Sequence, residues 1–290
     1  MKQIGRRKFL KYSGGLLGLS MLGVLPKISF PKSPLSFGNR DSEGQAKTKV
    51  ASRLDGEGTV IDEHKRFNMI IDVGACIGCR RCMWACKAEN NTPDTVSPLW
   101  IEVFEVEANV DLNGHPAVED LKKGTTTSYT KSPLEGKWYM PVQCNHCDNA
   151  PCVKVCPTGA TYKAEDGLVL MDYNKCIGCR LCIVACPYSA RRFNWFEPEL
   201  PADDVNPLVP VRPVGVPEKC TFCVHRVRRG RLPACVEACP VRARHFGDIN
   251  DPEGEIAQLL ESNLTFRLLE EFNTEPNIRY ITRGKKWIEG

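Results

Sequence analysis

Short apolar runs, separated by turn-forming residues, predict the regular elements in the middle of the chain. Residues 69–72 and 168–172 are apolar runs that end in aspartate, and each predicts a strand that leads into a loop. Residues 100–107 alternate between apolar and acidic positions and predict a strand that joins a sheet or faces a partner. Residues 255–261 predict a helix, after which the chain is expected to run outward as a tail to residue 290.

The first 30 residues have a different pattern, a basic start followed by a weakly apolar stretch. Arg6 and Arg7 are followed by Phe-Leu at 9–10, and the apolar stretch over 16–25 is broken by two glycines. This stretch is too short to span a bilayer in the ordinary way. The pattern resembles a twin-arginine export signal, which implies a periplasmic or other extracytoplasmic location; a basic amphipathic start is the alternative. No clean A-x-A site follows, so an uncleaved membrane anchor stays open.

Composition also shifts along the chain. Residues 31–63 are rich in Ser, Pro, Gly and charge without apolar periodicity, which predicts a linker. Residues 64–248 form the predicted main domain, with an insert over 99–140, and residues 249–290 form a carboxy-terminal extension. Because no apolar run beyond residue 248 approaches membrane-spanning length, any membrane attachment after the signal is expected through another subunit.

Charge and cysteine content narrow the class of protein. The 290 residues are 42% hydrophobic and 26% charged, which is ordinary for a globular chain. The formal net charge of +4 becomes −2 without residues 1–30, which hold six basic and no acidic residues. Since no basic face remains, nucleic-acid binding is not expected. The 16 cysteines are unusual, because a chain of this size does not need disulfides for stability.

The cysteines fall into four sets with ferredoxin-type spacing. The first and third sets share the spacing C-x2-C-x2-C-x3-C and are offset by 100 residues, which makes them an internal repeat. The second and fourth sets keep both ends of this motif and widen only the gap before the third cysteine. In order, the sets are Cys76, Cys79, Cys82, Cys86; Cys144, Cys147, Cys152, Cys156; Cys176, Cys179, Cys182, Cys186; and Cys220, Cys223, Cys235, Cys239.

This spacing suits a [4Fe-4S] cluster. Two intervening residues let the chain curl around one face of a cubane, so that successive thiolates reach different irons. Gly78 and Gly178 permit the tight approach, and the last three-residue step begins a helix. Complete sets predict four [4Fe-4S] clusters with no cysteine left over.

Zinc sites, disulfides and covalent haem fit the cysteines less well. Zinc ribbons also use paired C-x2-C, but they do not repeat a block of four cysteines with this spacing. Disulfides would suit an exported chain, yet cysteines so close along one loop are badly placed to pair with one another. Covalent haem requires C-x-x-C-H, and none of the C-x2-C pairs is followed by histidine.

The remaining residues favour electron transfer over catalysis. The sequence shows no catalytic nucleophile, no pair of residues for acid–base catalysis and no substrate pocket. A free soluble ferredoxin or a cluster enzyme stays an alternative of a different class. His146, between two ligands, is a candidate for tuning its cluster through hydrogen bonding and charge. The basic insert at 224–234 is expected to form a loop or short helix that screens its cluster or meets an acidic partner.

With these sets, the chain resembles the four-cluster ferredoxin-like subunits that pair with polytopic quinone-interacting membrane proteins in respiratory complexes. The resemblance covers roughly residues 67–282 and is carried by segments 151–160, 219–223 and 233–240. It implies two partners, a polytopic quinone-interacting membrane subunit and a further redox subunit that is a cytochrome or a catalytic subunit. Electron-transfer subunits of molybdenum reductases, formate dehydrogenases, hydrogenases and nitrite reductase systems remain alternatives.

Within that group, one subgroup is most similar. The export signal and the stretches 139–144 and 191–195 resemble the DsrO-type periplasmic iron-sulfur subunit of the membrane complex associated with dissimilatory sulfite reductase. This resemblance implies a link to sulfur or sulfite metabolism.

The family resemblance also implies a fold and a ligand pattern. The expected class is α+β, with two ferredoxin-like lobes that bind two clusters each, insertions and a carboxy-terminal tail. In two-cluster ferredoxins the fourth cysteine of one motif ligates the cluster of the other motif. By resemblance the first set pairs with the fourth and the second with the third; sequential ligation within each set is the alternative. The implied ligands are Cys76, Cys79, Cys82 and Cys239 for cluster 1; Cys220, Cys223, Cys235 and Cys86 for cluster 2; Cys144, Cys147, Cys152 and Cys186 for cluster 3; and Cys176, Cys179, Cys182 and Cys156 for cluster 4.

Overall fold

The structure is a computed structural model that describes residues 64–107, 137–200, 203 and 205–283. The predicted export signal and linker, and most of the predicted insert, lie outside the described residues. The strands are β1 (Phe67–Asp72), β2 (Glu102–Glu107), β3 (Lys137–Val142), β4 (Thr161–Lys163), β5 (Val169–Met171), β6 (Arg192–Phe193), β7 (Pro217–Glu218), β8 (Arg244–Asp248) and β9 (Ile278–Ile281). The helices are α1 (Arg81–Glu89), α2 (Pro151–Lys154), α3 (Leu181–Val184), α4 (Val224–Val227), α5 (Ala234–Glu237) and α6 (Glu255–Ser262), and a 3-10 turn covers Glu270–Phe272.

Short helices and short sheets are mixed along the described residues, in agreement with the predicted α+β class. The largest sheet has the strand order β8-β1-β9, and the other strands form the pairs β2-β3, β4-β5 and β6-β7. None of the described helices combines the length and the apolar content that a bilayer crossing requires.

Strand β1 lies between β8 and β9, and both of its faces are covered. Met69, Ile70 and Ile71 are fully buried, and successive side chains of a strand point to opposite faces. Met69 and Ile71 enter the main core, whereas Ile70 packs in a second core beneath α6. This burial on both sides explains why the run is continuously apolar, as predicted for a strand that leads into the first cysteine set.

The carboxy-terminal segment returns to this sheet. The predicted helix over 255–261 is confirmed as α6. Strand β9 then pairs in parallel with β1, so that Met69 lies opposite Ile278. Up to residue 283, where the described residues end, the expectation of an outward tail is therefore wrong, because Ile278, Tyr280 and Ile281 are buried and cover the β1 edge that β8 leaves open.

The β2-β3 hairpin lies against the loop of the first cysteine set. The predicted strand over 100–107 is confirmed as β2, and Phe104 lies opposite Met140 of β3. A Cβ atom at Gly78 would come within 2.3 Å of the Tyr139 ring, and the φ of Gly78 is +69°. Both the neighbour and the left-handed backbone therefore require glycine.

The loop of the third set is crowded in the same way by a different neighbour. A Cβ atom at Gly178 would come within 2.3 Å of the carbonyl oxygen of Gly215, and the φ of Gly178 is +68°. Both glycines are thus required by a close neighbour and a left-handed backbone, and their predicted tight approach to a cluster stays a prediction.

A buried polar network holds the segment before β7 against the end of α1. Arg212 Nε donates to Glu218 Oε2 at 2.8 Å, and its guanidinium also donates to the carbonyls of Asn90 and Asn91. Trp100 Nε1 donates to the second Glu218 oxygen at 2.7 Å. Since the Arg212 and Glu218 charges compensate each other within this network, both side chains can be buried.

Candidate iron-sulfur centres

A short helix begins one residue before the third cysteine of every set. In the first and third sets the residue before the helix, Arg80 or Arg180, has a left-handed φ of 58° or 63° and turns the chain from loop to helix. The predicted helical step at the end of the motif is therefore confirmed. The third cysteines, each at the second helical position, are Cys82, Cys152, Cys182 and Cys235.

The fourth set supplies one cysteine to a cavity built by the first set. Cys76, Cys79, Cys82 and Cys239 all line this cavity, together with Pro141 at the end of β3. The Cys76 thiol interacts electrostatically with both Cys82 and Cys239. Four thiols from two distant segments thus face one space.

The second set makes the same contribution to the third. Cys156 lines a cavity together with Cys176, Cys179 and Cys182. The Cys182 thiol interacts electrostatically with Cys176 and Cys156, and also with Cys152.

The other eight cysteines form two further groups. Cys86 interacts with the thiols of Cys220, Cys223 and Cys235 from the fourth set. In the other group, the thiols of Cys144, Cys152 and Cys186 all interact with Cys147. These two groups are neighbours, because the Cys220 and Cys144 thiols also interact with each other.

Backbone N–H groups are directed at several of the sulfurs, as the chain around an iron-sulfur cluster requires. The donors are Ala243 to Cys239 at 3.2 Å, Thr161 to Cys156 at 3.4 Å, Gly178 to Cys176 at 3.4 Å and Phe222 to Cys220 at 3.4 Å. The Asn90 side-chain amide adds donors at 3.7 Å from Cys86 Sγ and 3.6 Å from Cys223 Sγ. Such donors stabilise negative charge on sulfur.

Burial disfavours the thiolate form of these cysteines unless a positive partner lies beside them. Burial raises the pKa of Cys76 and of Cys147 to about 12. It raises the pKa of Cys235 to about 11 and those of Cys86 and Cys220 well above the ordinary value. Thiolates in these places therefore need a cation beside them, and the irons of a [4Fe-4S] cluster would supply it. Four thiols around one space, with N–H donors to sulfur, fit that cofactor.

None of the 16 cysteines forms a disulfide. Within the described ranges, no three His, Cys, Asp or Glu side chains converge as the ligands of a single metal ion.

His146 joins the second set to the fourth. Its Nδ1 accepts from the Val169 N–H at 3.1 Å, its Nε2 lies 3.0 Å from the Cys220 carbonyl, and its ring stacks on Phe222 with centroids 4.0 Å apart. Burial, with the Lys219 charge, holds the pKa of His146 well below its usual range. The ring is therefore neutral, with the proton on Nε2. The predicted tuning of a cluster by His146 stays a prediction.

The basic insert of the fourth set is paired within the chain. Part of it forms α4, as predicted for a loop or short helix. Arg226 donates to Glu89 at 2.8 Å and also pairs with Glu237, and Arg228 donates to Asp166 at 2.8 Å. These two arginines are therefore occupied internally and do not offer their charge to an acidic partner.

Sequence reasoning missed two buried arginines beside the cysteines. Arg244 Nη1 lies 3.7 Å from Cys235 Sγ, and Arg191 interacts electrostatically with Cys152 and Cys182. A signal was available, because each arginine is the fifth residue after the last cysteine of its set, in C-P-Y-S-A-R and C-P-V-R-A-R.

The third set has the most exposed surroundings. Cys179 is the one exposed cysteine of the sixteen. Near it along the chain, Ile177 is 67% exposed and Val184 is 85% exposed. The exposed Trp195 lies under the Arg180 guanidinium, 5.1 Å from the ring centroid.

The chain matches known proteins in the same region. Two family descriptions of a 4Fe-4S dicluster domain match, one over residues 75–161 and the other over residues 136–201 and 211–249. A subunit of the selenate reductase of Mesobacillus selenatarsenatis is 42% identical over 230 residues, which cover 74% of this chain and 71% of that protein.

Two further relatives are covered over most of their length. The iron-sulfur cluster-binding subunit of menaquinone reductase from Nitratidesulfovibrio vulgaris is 39% identical over 252 residues, 77% of this chain and 91% of that protein. A polypeptide of the polysulfide reductase of Wolinella succinogenes is 36% identical over 228 residues, 78% of this chain and 98% of that protein.

Proposed function

Because this protein belongs to the family of ferredoxin-like iron-sulfur subunits of reductase complexes, we propose that it passes electrons between a quinone-interacting membrane subunit and a redox partner of an exported respiratory complex. It is an electron-transfer subunit and not the catalytic subunit of such a complex. Its cofactors are four [4Fe-4S] clusters, which the two dicluster domains and 16 cysteines accommodate. When bound, each cluster supplies reversible one-electron chemistry.

Crossed ligation is the second part of the proposal. The observation that carries it is the cavity in which Cys239 joins Cys76, Cys79 and Cys82. Corresponding support comes from Cys156 in the cavity of the third set and from Cys86 beside the fourth set. We assign the clusters the ligands implied by the family resemblance.

The neighbours of these groups suggest a linear order, from cluster 1 through clusters 2 and 3 to cluster 4. Cys82 interacts with Cys235, which links clusters 1 and 2, and Cys144 interacts with Cys220, which links clusters 2 and 3. Cys152 interacts with Cys182, which links clusters 3 and 4. Since Cys179 is exposed, a redox partner can approach cluster 4 from solvent.

Paired substitutions test the ligation directly. In the full chain, reconstituted anaerobically, we expect about sixteen irons with equal sulfide. If Cys79 and Cys239 bind one cluster, the double variant Cys79→Ser/Cys239→Ser loses the same iron as either single variant. Cys223→Ser/Cys239→Ser then loses iron from two clusters.

Sequential ligation predicts the opposite pattern, so iron content and the electron paramagnetic resonance (EPR) signals distinguish the two. Clean zinc stoichiometry without visible charge-transfer absorbance would contradict the cluster proposal as a whole.

We further propose that the complex belongs to sulfur or sulfite metabolism, as a DsrO-type subunit. The similarity to polysulfide reductase supports the sulfur link, and the similarity to menaquinone reductase supports a quinone-interacting partner. The similarity to selenate reductase supports the second candidate, a complex with a catalytic reductase subunit. Purification of the intact complex separates them: a polytopic membrane protein with a multihaem cytochrome supports the first, and a molybdenum subunit supports the second.

Export by the twin-arginine route completes the proposal, and the pattern over residues 1–30 supports it. Replacement of Arg6 and Arg7 together by Lys should leave cluster-loaded protein in the cytoplasm. Fractionation with detection of the chain measures this, and unchanged periplasmic accumulation would refute the export signal.

A further inference from the structure

Arg191 and Arg244 occupy equivalent positions after the third and fourth cysteine sets. Each follows the last cysteine of its set by five residues, after a shared Pro at the first position and a shared Ala at the fourth. Both side chains are buried, with relative exposures of 4% and 3%.

Arg244 lies between the cysteines of clusters 1 and 2. Its side chain lines the cavity of Cys76, Cys79, Cys82 and Cys239, and its Nη1 is 3.7 Å from Cys235 Sγ of cluster 2. The guanidinium is held in this place by two neutral partners, because Nη2 donates to Gln143 Oε1 at 2.7 Å and Nη1 lies 3.2 Å from Met69 Sδ.

Arg191 has the same relation to clusters 3 and 4. Its guanidinium interacts with the thiols of Cys152 and Cys144 of cluster 3 and with Cys182 of cluster 4. Its Nη1 lies 3.0 Å from Met171 Sδ, which again is a neutral partner. Its Nε and Nη2 are buried and find no oxygen or nitrogen acceptor, and the guanidinium is directed at the Cys152 sulfur.

Neither charge is compensated by a carboxylate among the described residues. Two further buried arginines are compensated, since Arg212 pairs with Glu218 and Arg228 pairs with Asp166, each at 2.8 Å. An arginine does not lose its proton in a protein, so an unpaired buried guanidinium requires a nearby anion. The thiolate-ligated clusters on either side are anions of this kind.

We propose that Arg191 and Arg244 are buried counter-charges that raise the reduction potentials of the clusters beside them. Arg244 acts on clusters 1 and 2, and Arg191 acts on clusters 3 and 4. The inference rests on the proposed crossed ligation. Each reduction brings one electron from the redox partner and adds one negative charge, with no bond or proton changed. A fixed cation beside the sulfur ligands stabilises the reduced cluster more than the oxidised cluster. Burial strengthens this effect, because the protein interior screens the interaction between the two charges less than water does.

The experiment uses the full chain, reconstituted anaerobically and titrated with dithionite while EPR follows each cluster. Arg244→Gln should shift the midpoint potentials of clusters 1 and 2 to more negative values and leave clusters 3 and 4 in place. Arg191→Gln should do the reverse. The signals are assigned with the cysteine variants described above.

Two control variants separate charge from structure. Arg242→Gln removes the same charge from an exposed side chain two residues away, and no potential should shift. Arg244→Lys keeps a buried cation, so the potentials of clusters 1 and 2 should stay near their wild-type values. Iron content is measured for each variant.

The outcomes are distinct. Unchanged potentials in fully loaded Arg244→Gln protein overturn the inference, as does an equal shift in Arg242→Gln. If Arg244→Gln loses iron, Arg244→Lys decides: near wild-type potentials in loaded protein support a role for the charge, and the same loss of iron assigns Arg244 a structural role only. Loss of clusters in the wild-type chain would instead refute the proposed function.

Discussion

The first and third cysteine sets have the same spacing, yet the chain leaves them differently. Cys86 is followed by Lys87, and α1 continues to Glu89; Cys186 is followed by Pro187, and α3 ends at Val184. Proline lacks an N–H donor and clashes with the carbonyl four residues earlier, so a helix cannot continue normally through it. Equal ligand spacing therefore does not imply equal surroundings.

The longer helix brings two polar side chains to the fourth set. Asn90, just after α1, donates to the sulfurs of Cys86 and Cys223, whereas the repeat-related Ala190 has no side-chain donor. Glu89, the last residue of α1, accepts from Arg226 at 2.8 Å and lies 2.7 Å from His225 Nε2. Hydrogen bonds to sulfur and solvent exposure both change the reduction potential of a cluster. Cluster 2, beside the end of α1, should therefore differ in potential from cluster 4.

Extension of α1 beyond the motif is the difference with the largest expected effect. Lys87→Pro should end the helix early and lower the free energy of unfolding by about 3 kcal/mol or more. Anaerobic denaturant unfolding of the loaded protein measures this. Lys87→Ala is the matched control, because it keeps the helix. It removes the ion pair with the exposed Asp94 and the contact of the Lys87 ammonium with the Trp84 ring, each worth less than about 1 kcal/mol at an exposed site. Equal unfolding of the two variants would show that helix length does not distinguish the sets.

The loop glycines give the next largest effect. Gly78→Ala and Gly178→Ala should each lose the cluster of their own set, because a Cβ atom meets the Tyr139 ring or the Gly215 carbonyl at 2.3 Å. Gly159→Ala is the control, with a φ of +65° and no atom within 4 Å of the added Cβ, so it carries only the backbone cost of about 1–2 kcal/mol. Iron content and the unfolding midpoint separate the two terms. Similar iron loss in all three variants would mean that the left-handed backbone, and not the neighbouring atom, causes the loss of the cluster.

Asn90→Ala should have the smallest effect and make the first set resemble the third. The Asn90 amide also donates to the Cys86 carbonyl at 2.9 Å, so about one N–H remains for the sulfurs. Its loss should lower the potential of cluster 2, with a free-energy change of about 1 kcal/mol, the usual net value of a hydrogen bond. An EPR-monitored titration measures the shift, and cluster 4 serves as the internal reference. An unchanged cluster 2 potential would mean that this amide does not contribute to the difference between the halves.

Much of the local structure could be predicted because its causes are local. The four sets, the strands before the first and third sets, the glycines in their loops and α6 all follow from residues a few positions apart. The position of α1 within the first set was predicted, but its continuation to Glu89 was not, although the absence of proline after Cys86 was a usable signal.

The sequence by itself determined the cofactor chemistry, since the type and spacing of the thiol ligands lie within short segments. Only the tertiary structure decided what surrounds those ligands. The return of β9 to β1 joins Met69 to Ile278, and the pairing of Arg228 with Asp166 joins the insert to the loop between β4 and β5. Such contacts depend on the packing of segments that are far apart in the chain, and a local pattern does not specify which distant surface will cover an edge or compensate a charge.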